Sequence, residues 1–379
     1  MTALLAAPRE ALDPVTTWID HPSGFLALSA KNERFTLPGR AGLIAWREQG
    51  KHRVVFGGVH APERERAALL QAFVARCRAE RRRPLAVQVR ADQVELFQRA
   101  GFVLNRFGAS YALPIAEHRL SGSKRVKLRQ KVRRAERLGV EVLELGRELP
   151  RDAAAFSQLQ GLSAAWLADK GAPELDFMIG ELGEASDARR RVFVALHEGR
   201  WVGFISYVPA WGTRPGWLHD LTRRVPDAPP GTMERINHLA LERFRAEGAE
   251  FLHFGFTPFV TGPEPERPGA SRVVAWAIDQ LARRGAAIYP AQDQVRYKRK
   301  WAPSVIESEW LALRPVSLRA IHDLLRITGS LGGLRPPRPP ILGPRSRLRF
   351  AFAAGGGSLP GRSSGSGGSS RSERPRVYA

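Results

Sequence analysis

Two stretches of the chain carry the same succession of elements, and this duplication limits the possible folds more than any other feature. In the first, residues 41–46 and 54–58 read as strands around a turn at Gln49-Gly50. A loop with Pro62 follows, then a helix over 67–80 with Leu69, Leu70, Phe73, Val74 and Cys77 at helical spacing. Pro84 breaks that helix, 85–89 is a strand, and 92–100 is a short helix ended by Gly101, where a left-handed cap favours glycine. Residues 102–113 close the unit as strand. In the second stretch, 191–197 and 201–209 are strands joined at Gly199. Residues 217–222 form another strand, 223–231 a loop, 232–247 a helix ended by Gly248, and 250–255 the next strand. The pattern predicts an α/β (α+β) chain of two similar lobes, and 379 residues suffice for two cores.

The expected boundaries are an N-terminal extension over 1–16, a first lobe over 17–120, a linking helix over 121–139, a second lobe over 140–315, and a tail over 316–379. The tail contains Arg335-Pro336-Pro337-Arg338-Pro339-Pro340 and a Gly/Ser-rich run over 355–372. Such composition cannot bury enough apolar surface to order itself, so it is expected to be largely disordered.

The linking helix is the most unusual segment. Leu128, Val132, Ala135 and Leu138 make an apolar stripe. Lys124, Arg125, Lys127, Arg129, Lys131, Arg133, Arg134 and Arg137 cover the rest, opposed only by Glu136. Solvated helices usually mix signs to gain i,i+4 pairs. A helix this basic predicts an anionic partner, either RNA phosphate or an acidic lipid surface. The net charge of +22 agrees: residues 331–379 hold nine arginines and one glutamate, which leaves +14 on the rest.

Several chemistries find no motif here. There is no GxSxG elbow, since the one such string, 361–365, falls in the Gly/Ser-rich run, and there is no GxxxxGK phosphate loop and no zinc-ligand spacing, so neither metal nor cofactor is expected. Cys77 is the only cysteine, which precludes an internal disulfide and fits a reducing compartment. No run approaches a membrane span, and residues 1–8 lack the pattern of a signal peptide. The expected location is the cytoplasm, peripheral at the inner face of the cell membrane.

The informative stretch is 218–258. Asp220 and Arg223 stand at a strand end, where open α/β sheets collect ligands. Gly231 opens the following helix, whose free N–H groups suit an anion. Glu234 lies in its first turn, and His219 and His253 flank the strand ends as candidate proton carriers. The order of strands and helix is that of a GNAT-type acyltransferase core. However, Pro226-Asp227-Ala228-Pro229-Pro230-Gly231 matches poorly the glycine- and arginine-rich turn of acetyl-CoA enzymes.

These motifs, taken in order, resemble the catalytic domain of the aminoacyl-phosphatidylglycerol synthases. The strand end Asp220-Leu221-Thr222-Arg223 matches that family's D-L-M-R, and the 226–234 segment matches its P-x-A-P-x-G-x-M-D. Gly255-Phe256-Thr257-Pro258-Phe259 matches G-M-A-P-L, and Tyr297-Lys298-Arg299-Lys300-Trp301-Ala302-Pro303 matches f-K-x-K-F-x-P. Similarity runs over roughly 17–315. Thr222, Glu234, Thr257 and Phe259 depart from the family pattern.

The resemblance implies tandem GNAT-like lobes joined by the basic helix. It also implies transfer of an amino acid from aminoacyl-tRNA to a hydroxyl of phosphatidylglycerol or a related lipid. Asp220 and Arg223 would be catalytic, with Asp220 holding the ammonium group and Arg223 gripping a phosphate. Lys298 and Lys300 would meet tRNA or lipid phosphate. Gly231, Glu234, His219 and His253 complete the expected substrate site, and Trp166 is expected to pack near it. A CoA-dependent N-acyltransferase and a non-catalytic RNA- or membrane-binding protein remain alternative readings. Asp220 also has an alternative reading, as a purely structural ion pair with Arg223.

Overall fold

The computed structural model describes residues 17–170, 176–183, 188–284 and 291–331. The expected N-terminal extension lies outside them, as does the tail from 332 onward. All the described residues belong to one compact unit.

The elements follow the duplicated pattern. The first set is β1 (Glu33–Phe35), β2 (Ile44–Gln49), β3 (His52–Phe56), α1 (Glu63–Ala79), β4 (Arg83–Val89), α2 (Val94–Arg99) and β5 (Val103–Pro114). The linking helix is α3 (Val126–Arg137). The second set is β6 (Glu141–Glu144), α4 (Ala153–Lys170), β7 (Arg191–His197), β8 (Arg200–Ala210), β9 (Gly216–Arg224), α5 (Thr232–Ala246) and β10 (Phe251–Pro258). Then come α6 (Arg272–Arg284), α7 (Ala291–Arg299), β11 (Val305–Leu313) and α8 (Leu318–Ile327).

The strands make a single sheet in the order β1-β2-β3-β4-β11-β5-β10-β9-β8-β7-β6. In each half, antiparallel strands lead to one parallel pair, β3 with β4 and β9 with β10. The halves exchange their closing strands. β11, from the end of the second set, lies against β4, and β5, from the first set, lies against β10. β5 and β11 pair antiparallel along nearly their whole length and weld the halves together. No periodicity in the sequence encodes such an exchange, because a strand's pattern names its buried faces and not its neighbours.

Helices cover both faces. On one, α1 buries Leu69, Leu70, Phe73 and Cys77 against β2, β3 and β4. In the second half, α5 buries Ile236, Ala240, Leu241 and Phe244. Phe244 stacks on Trp217 at 5.2 Å and meets Tyr207 and Phe193 edge-on at 5.1 and 5.8 Å. Each such pair adds about 0.5–1.5 kcal/mol beyond area burial.

α3 packs its stripe of Leu128, Val132 and Ala135 inward beside α5. It starts at Val126, after a 3-10 turn, and Leu138 lies past its end at 43% exposure, not in the stripe.

The tail boundary needs correction. Residues 318–327 form α8, capped by Ser317, whose side chain accepts from the Ala320 N–H. Ala320, Ile321, Leu324 and Ile327 are buried, and Asp323 pairs with His52 at 2.7 Å. The arginine- and glycine-rich composition beyond Gly333 outweighs this short apolar helix when the whole tail is averaged.

Candidate functional site

The parallel pair β9–β10 is hydrogen-bonded over only three residue pairs, Gly216–Phe251, Trp217–Leu252 and His253–Leu218. Beyond that level both strands break register. On β9, Asp220 and Leu221 together oppose Ser206 of β8, a two-to-one bulge whose Leu221 N–H donates to Ser206 Oγ at 3.1 Å. On β10 the register with β5 shifts between His253 and Gly255, and Gly255 takes φ +69°. Bulges bend strands and redirect side chains. The two strands splay, and a cavity of about 140 Å³ opens at the fork.

His219 and Asp220 enter the cavity from β9, Phe254 to Phe256 from β10, and Lys298 from α7. The Asp220 side chain is almost fully buried. One oxygen accepts the Gly180 N–H at 2.9 Å, and the other is paired with the Arg190 guanidinium. Arg190 also donates to Ser206 Oγ at 3.0 Å, tying the ion pair to the bulge. A Cβ on Gly180 would overlap the Asp220 carboxylate, so only glycine allows this approach. The sequence-level alternative of an Asp220–Arg223 pair is not what forms. Arg223 instead lies over the Trp166 ring at 4.3 Å, outside the cavity lining, with Lys170 also over that ring at 4.7 Å.

Lys298 is buried on α7 with Ala291 and Val295, which share its face at i−7 and i−3. Its ammonium donates to the carbonyls of Gly255 and Phe256 at 2.8 and 3.0 Å and to Thr257 Oγ1 at 2.7 Å. It thus ties down the bulged end of β10. Burial lowers its pKa to about 7, against the opposing pull of the Glu309 carboxylate. His219 shares a 2.5 Å hydrogen bond with the Thr222 hydroxyl. Burial, helped by the Lys298 charge, lowers its pKa to about 3, so the imidazole is neutral at ordinary pH.

The other expected site residues lie elsewhere. His253 turns from the cavity and bonds the Arg214 carbonyl at 2.9 Å, and burial lowers its pKa to about 4. Glu234 binds Lys131 at 3.0 Å and Lys300 at 3.2 Å. Burial opposes its ionisation, but the two ammonium groups outweigh burial and hold its pKa below the ordinary value. Glu234 is therefore a hub joining α3, α5 and the turn after α7. Lys300 faces this hub and not the cavity.

Gly231 adopts φ +93°, and a Cβ there would fall within contact distance of the Lys131 carbonyl oxygen. The start of α5 is thus packed against α3. Gly231→Ala is expected to destabilise the fold by about 2–4 kcal/mol, from left-handed strain plus overlap with the α3 backbone. The midpoint of denaturant unfolding measures this, and an unchanged midpoint would refute the close packing.

Along α3, Lys131 is committed to Glu234, and Arg129 donates to the Leu120 carbonyl at 2.6 Å. Lys127, Arg133, Arg134 and Arg137 are exposed, with no carboxylate partner among the described residues. Arg125 is partly buried, and the Lys124 side chain lies outside the described set.

Several residues that line the cavity or hold its lining in place escaped sequence reasoning. Arg190 is one arginine among many, and only its burial marks it. Asp176 reaches the lining from a segment without periodicity. It pairs with Arg47 at 2.9 Å, and this contact with the Phe177 N–H outweighs burial and lowers its pKa. Gln88 sits on β4 at φ +55°, 1% exposed. Its Oε1 has no partner among the described residues, and its Nε2 reaches only Met178 Sδ at 3.6 Å. A strained, under-satisfied polar side chain on a cavity wall is typical of a ligand site. Among the described residues no three His, Cys, Asp or Glu side chains converge as a metal site.

Comparison with known proteins places this geometry in context. The family described as phosphatidylglycerol lysyltransferase, C-terminal, matches residues 14–313. The lysylphosphatidylglycerol biosynthesis bifunctional protein LysX of Mycolicibacterium vanbaalenii is 24% identical over 323 residues, 80% of this chain and 29% of that protein. Its counterpart in Mycolicibacterium gilvum is 27% identical over 241 residues, 62% of this chain and 21% of that protein. The chain thus spans under a third of the length of these curated relatives. In fold, it is similar to the C-terminal domain (DUF2156) of a protein described as a "putative lysylphosphatidylglycerol synthetase" from Agrobacterium fabrum. The TM-score is 0.69 at 20% identity, covering 86% of this chain and 98% of that one. The structure of L-PGS from Bacillus licheniformis gives a TM-score of 0.66 at 21% identity, covering 81% and 91%.

Proposed function

Since the chain belongs to the phosphatidylglycerol lysyltransferase C-terminal family, we propose that it moves an aminoacyl group from an aminoacyl-tRNA ester to a hydroxyl of phosphatidylglycerol or a related lipid. The observation that carries this reading is the fork between β9 and β10, which gathers Asp220, His219 and Lys298 around one cavity.

The reaction is a transesterification. The lipid hydroxyl oxygen attacks the ester carbonyl carbon, a new C–O bond forms, and the bond to the ribose oxygen breaks. The proton leaves the lipid hydroxyl and ends on the ribose oxygen. The donor ester already stores the energy, so positioning and electrostatics are the protein's tasks. Asp220 has lone pairs to spare beyond its two bonds and would hold the ammonium group of the aminoacyl moiety. Lys298 supplies positive charge beside the reacting carbonyl while it fixes β10. The neutral His219 ring faces the same space as a proton carrier. The exposed Lys127, Arg133, Arg134 and Arg137 suit the phosphates of the tRNA.

A CoA-dependent reaction is less well supported. The helix start that would receive a pyrophosphate is packed against the α3 backbone at Gly231.

Lipid extracts from a bacterium without aminoacylated lipids test the proposal. Expression of the chain is expected to yield a phospholipid heavier by one amino-acid residue, detected by mass spectrometry. The Asp220→Asn variant should reduce that product at least 100-fold. An unchanged lipid profile from folded wild-type protein would refute the lipid acceptor.

A further inference from the structure

α6 has a packed apolar inner face and, on its outer face, two exposed apolar side chains. Its inner face places Val274, Ala277, Ile278 and Leu281 in the same apolar cluster as Phe107, Leu218, Phe256 and Phe259, which line the cavity. Its outer face repeats at i, i+3, i+7 and i+10 as Val273, Trp276, Gln280 and Arg283. Trp276 is 61% exposed and Val273 55%, and they are the most exposed large apolar side chains of the described residues. Arg272 and Arg283 are exposed beside them, Arg283 with Asp279 at 2.9 Å.

We propose that the outer face of α6 docks on an anionic phospholipid bilayer, with Trp276 and Val273 entering the headgroup–acyl boundary beside the cavity. The proposal rests on the lipid-acceptor reading above. Three observations favour a bilayer over another occupant. Two side chains expose far less than the roughly 800 Å² per partner that a stable protein interface buries, whereas an indole flanked by cations is the composition found where helices lie at a lipid interface. The charge suits it, since Arg272 and Arg283 border the patch and residues 1–330 carry a net +14. The position suits it too, because the inner face of α6 packs in the same apolar cluster as four side chains that line the cavity. A lipid headgroup then enters the cavity while its acyl chains stay in the membrane.

Co-sedimentation with vesicles of phosphatidylglycerol and phosphatidylcholine tests this. The Val273→Ser/Trp276→Ser double variant is expected to bind at least tenfold more weakly than wild type, with an unchanged melting temperature because both side chains are exposed. Trp276→Phe should keep most of the affinity, and Arg272→Glu should lose it only on anionic vesicles. Transfer to a short-chain, water-soluble phosphatidylglycerol should match wild type. Equal vesicle binding by the double variant would overturn the proposal, because α3 or another surface would then hold the membrane. A wild-type dimer that the double variant converts to monomer would also overturn it, in favour of a second copy of the chain. Failure of the aminoacyl-transfer reading shows separately, as no product from either protein on the soluble lipid.

Discussion

Asp220→Ala is expected to abolish aminoacyl transfer and also to weaken the fold by about 3–5 kcal/mol. The second effect follows from the partner left behind. The Arg190 side chain is 1% exposed and paired with Asp220, and removing one member of a buried pair takes from the other an interaction that offsets its desolvation. The Gly180 N–H would lose its acceptor as well. Loss of activity in the alanine variant alone would therefore not separate catalysis from folding. Asp220→Asn keeps the side-chain volume and one acceptor oxygen, for either the Gly180 N–H or the guanidinium, so its stability loss should be smaller than that of alanine while transfer still falls at least 100-fold. Denaturant unfolding and single-turnover transfer on the same preparations give both quantities. If Asp220→Asn transfers at the wild-type rate, Asp220 is a structural anchor and the proposed ammonium contact is wrong.

Lys298→Met should change both the pH dependence of stability and the rate. In the folded protein the Lys298 pKa is near 7, well below the 10.5 of an exposed lysine. Between these values the unfolded chain holds a proton that the folded chain has released, so stability from this group rises with pH across that window. Below pH 7 both states hold the proton, and the cost of burying the charge is fully present. The size is on the order of 5 kcal/mol at most, taking about 1.4 kcal/mol per tenfold change in proton affinity. Lys298→Met removes this slope, so its unfolding free energy should vary less than that of wild type between pH 7 and 10. It also leaves the Gly255 and Phe256 carbonyls without their donor, which should loosen the β10 bulge and lower kcat at least tenfold. Parallel stability curves for the two proteins would sink the assignment.

The sequence carried much of this. Hydrophobic spacing in α1 and α5 marked those helices, because an amphipathic helix writes its buried face at a fixed period. The turn glycines at 50, 101, 199 and 248 marked the ends of elements, since all four adopt positive φ. The duplicated order marked the α/β class, and the motifs around 218–303 marked the family. Asp220, His219 and Lys298 were named from the sequence, and the structure lines one cavity with them. His253 was named beside them because it stands one strand over at the same level, yet alternation along β10 turns it to the opposite face.

Other features lay beyond the reach of sequence. The exchange of β5 and β11 between halves depends on pairing between residues some 200 positions apart, and strand periodicity holds no record of a partner. Arg190 became the partner of Asp220 in place of Arg223 because the β9 bulge redirects Asp220 toward the start of β7, while Arg223 stacks on Trp166. Glu234 with Lys131 and Lys300 became a structural hub only because α3 packs against α5. Local chemistry therefore determined which elements form, where they end and which residue types could do chemistry. Tertiary packing alone decided which of those residues meet, because burial and ion pairing depend on neighbours brought from distant parts of the chain.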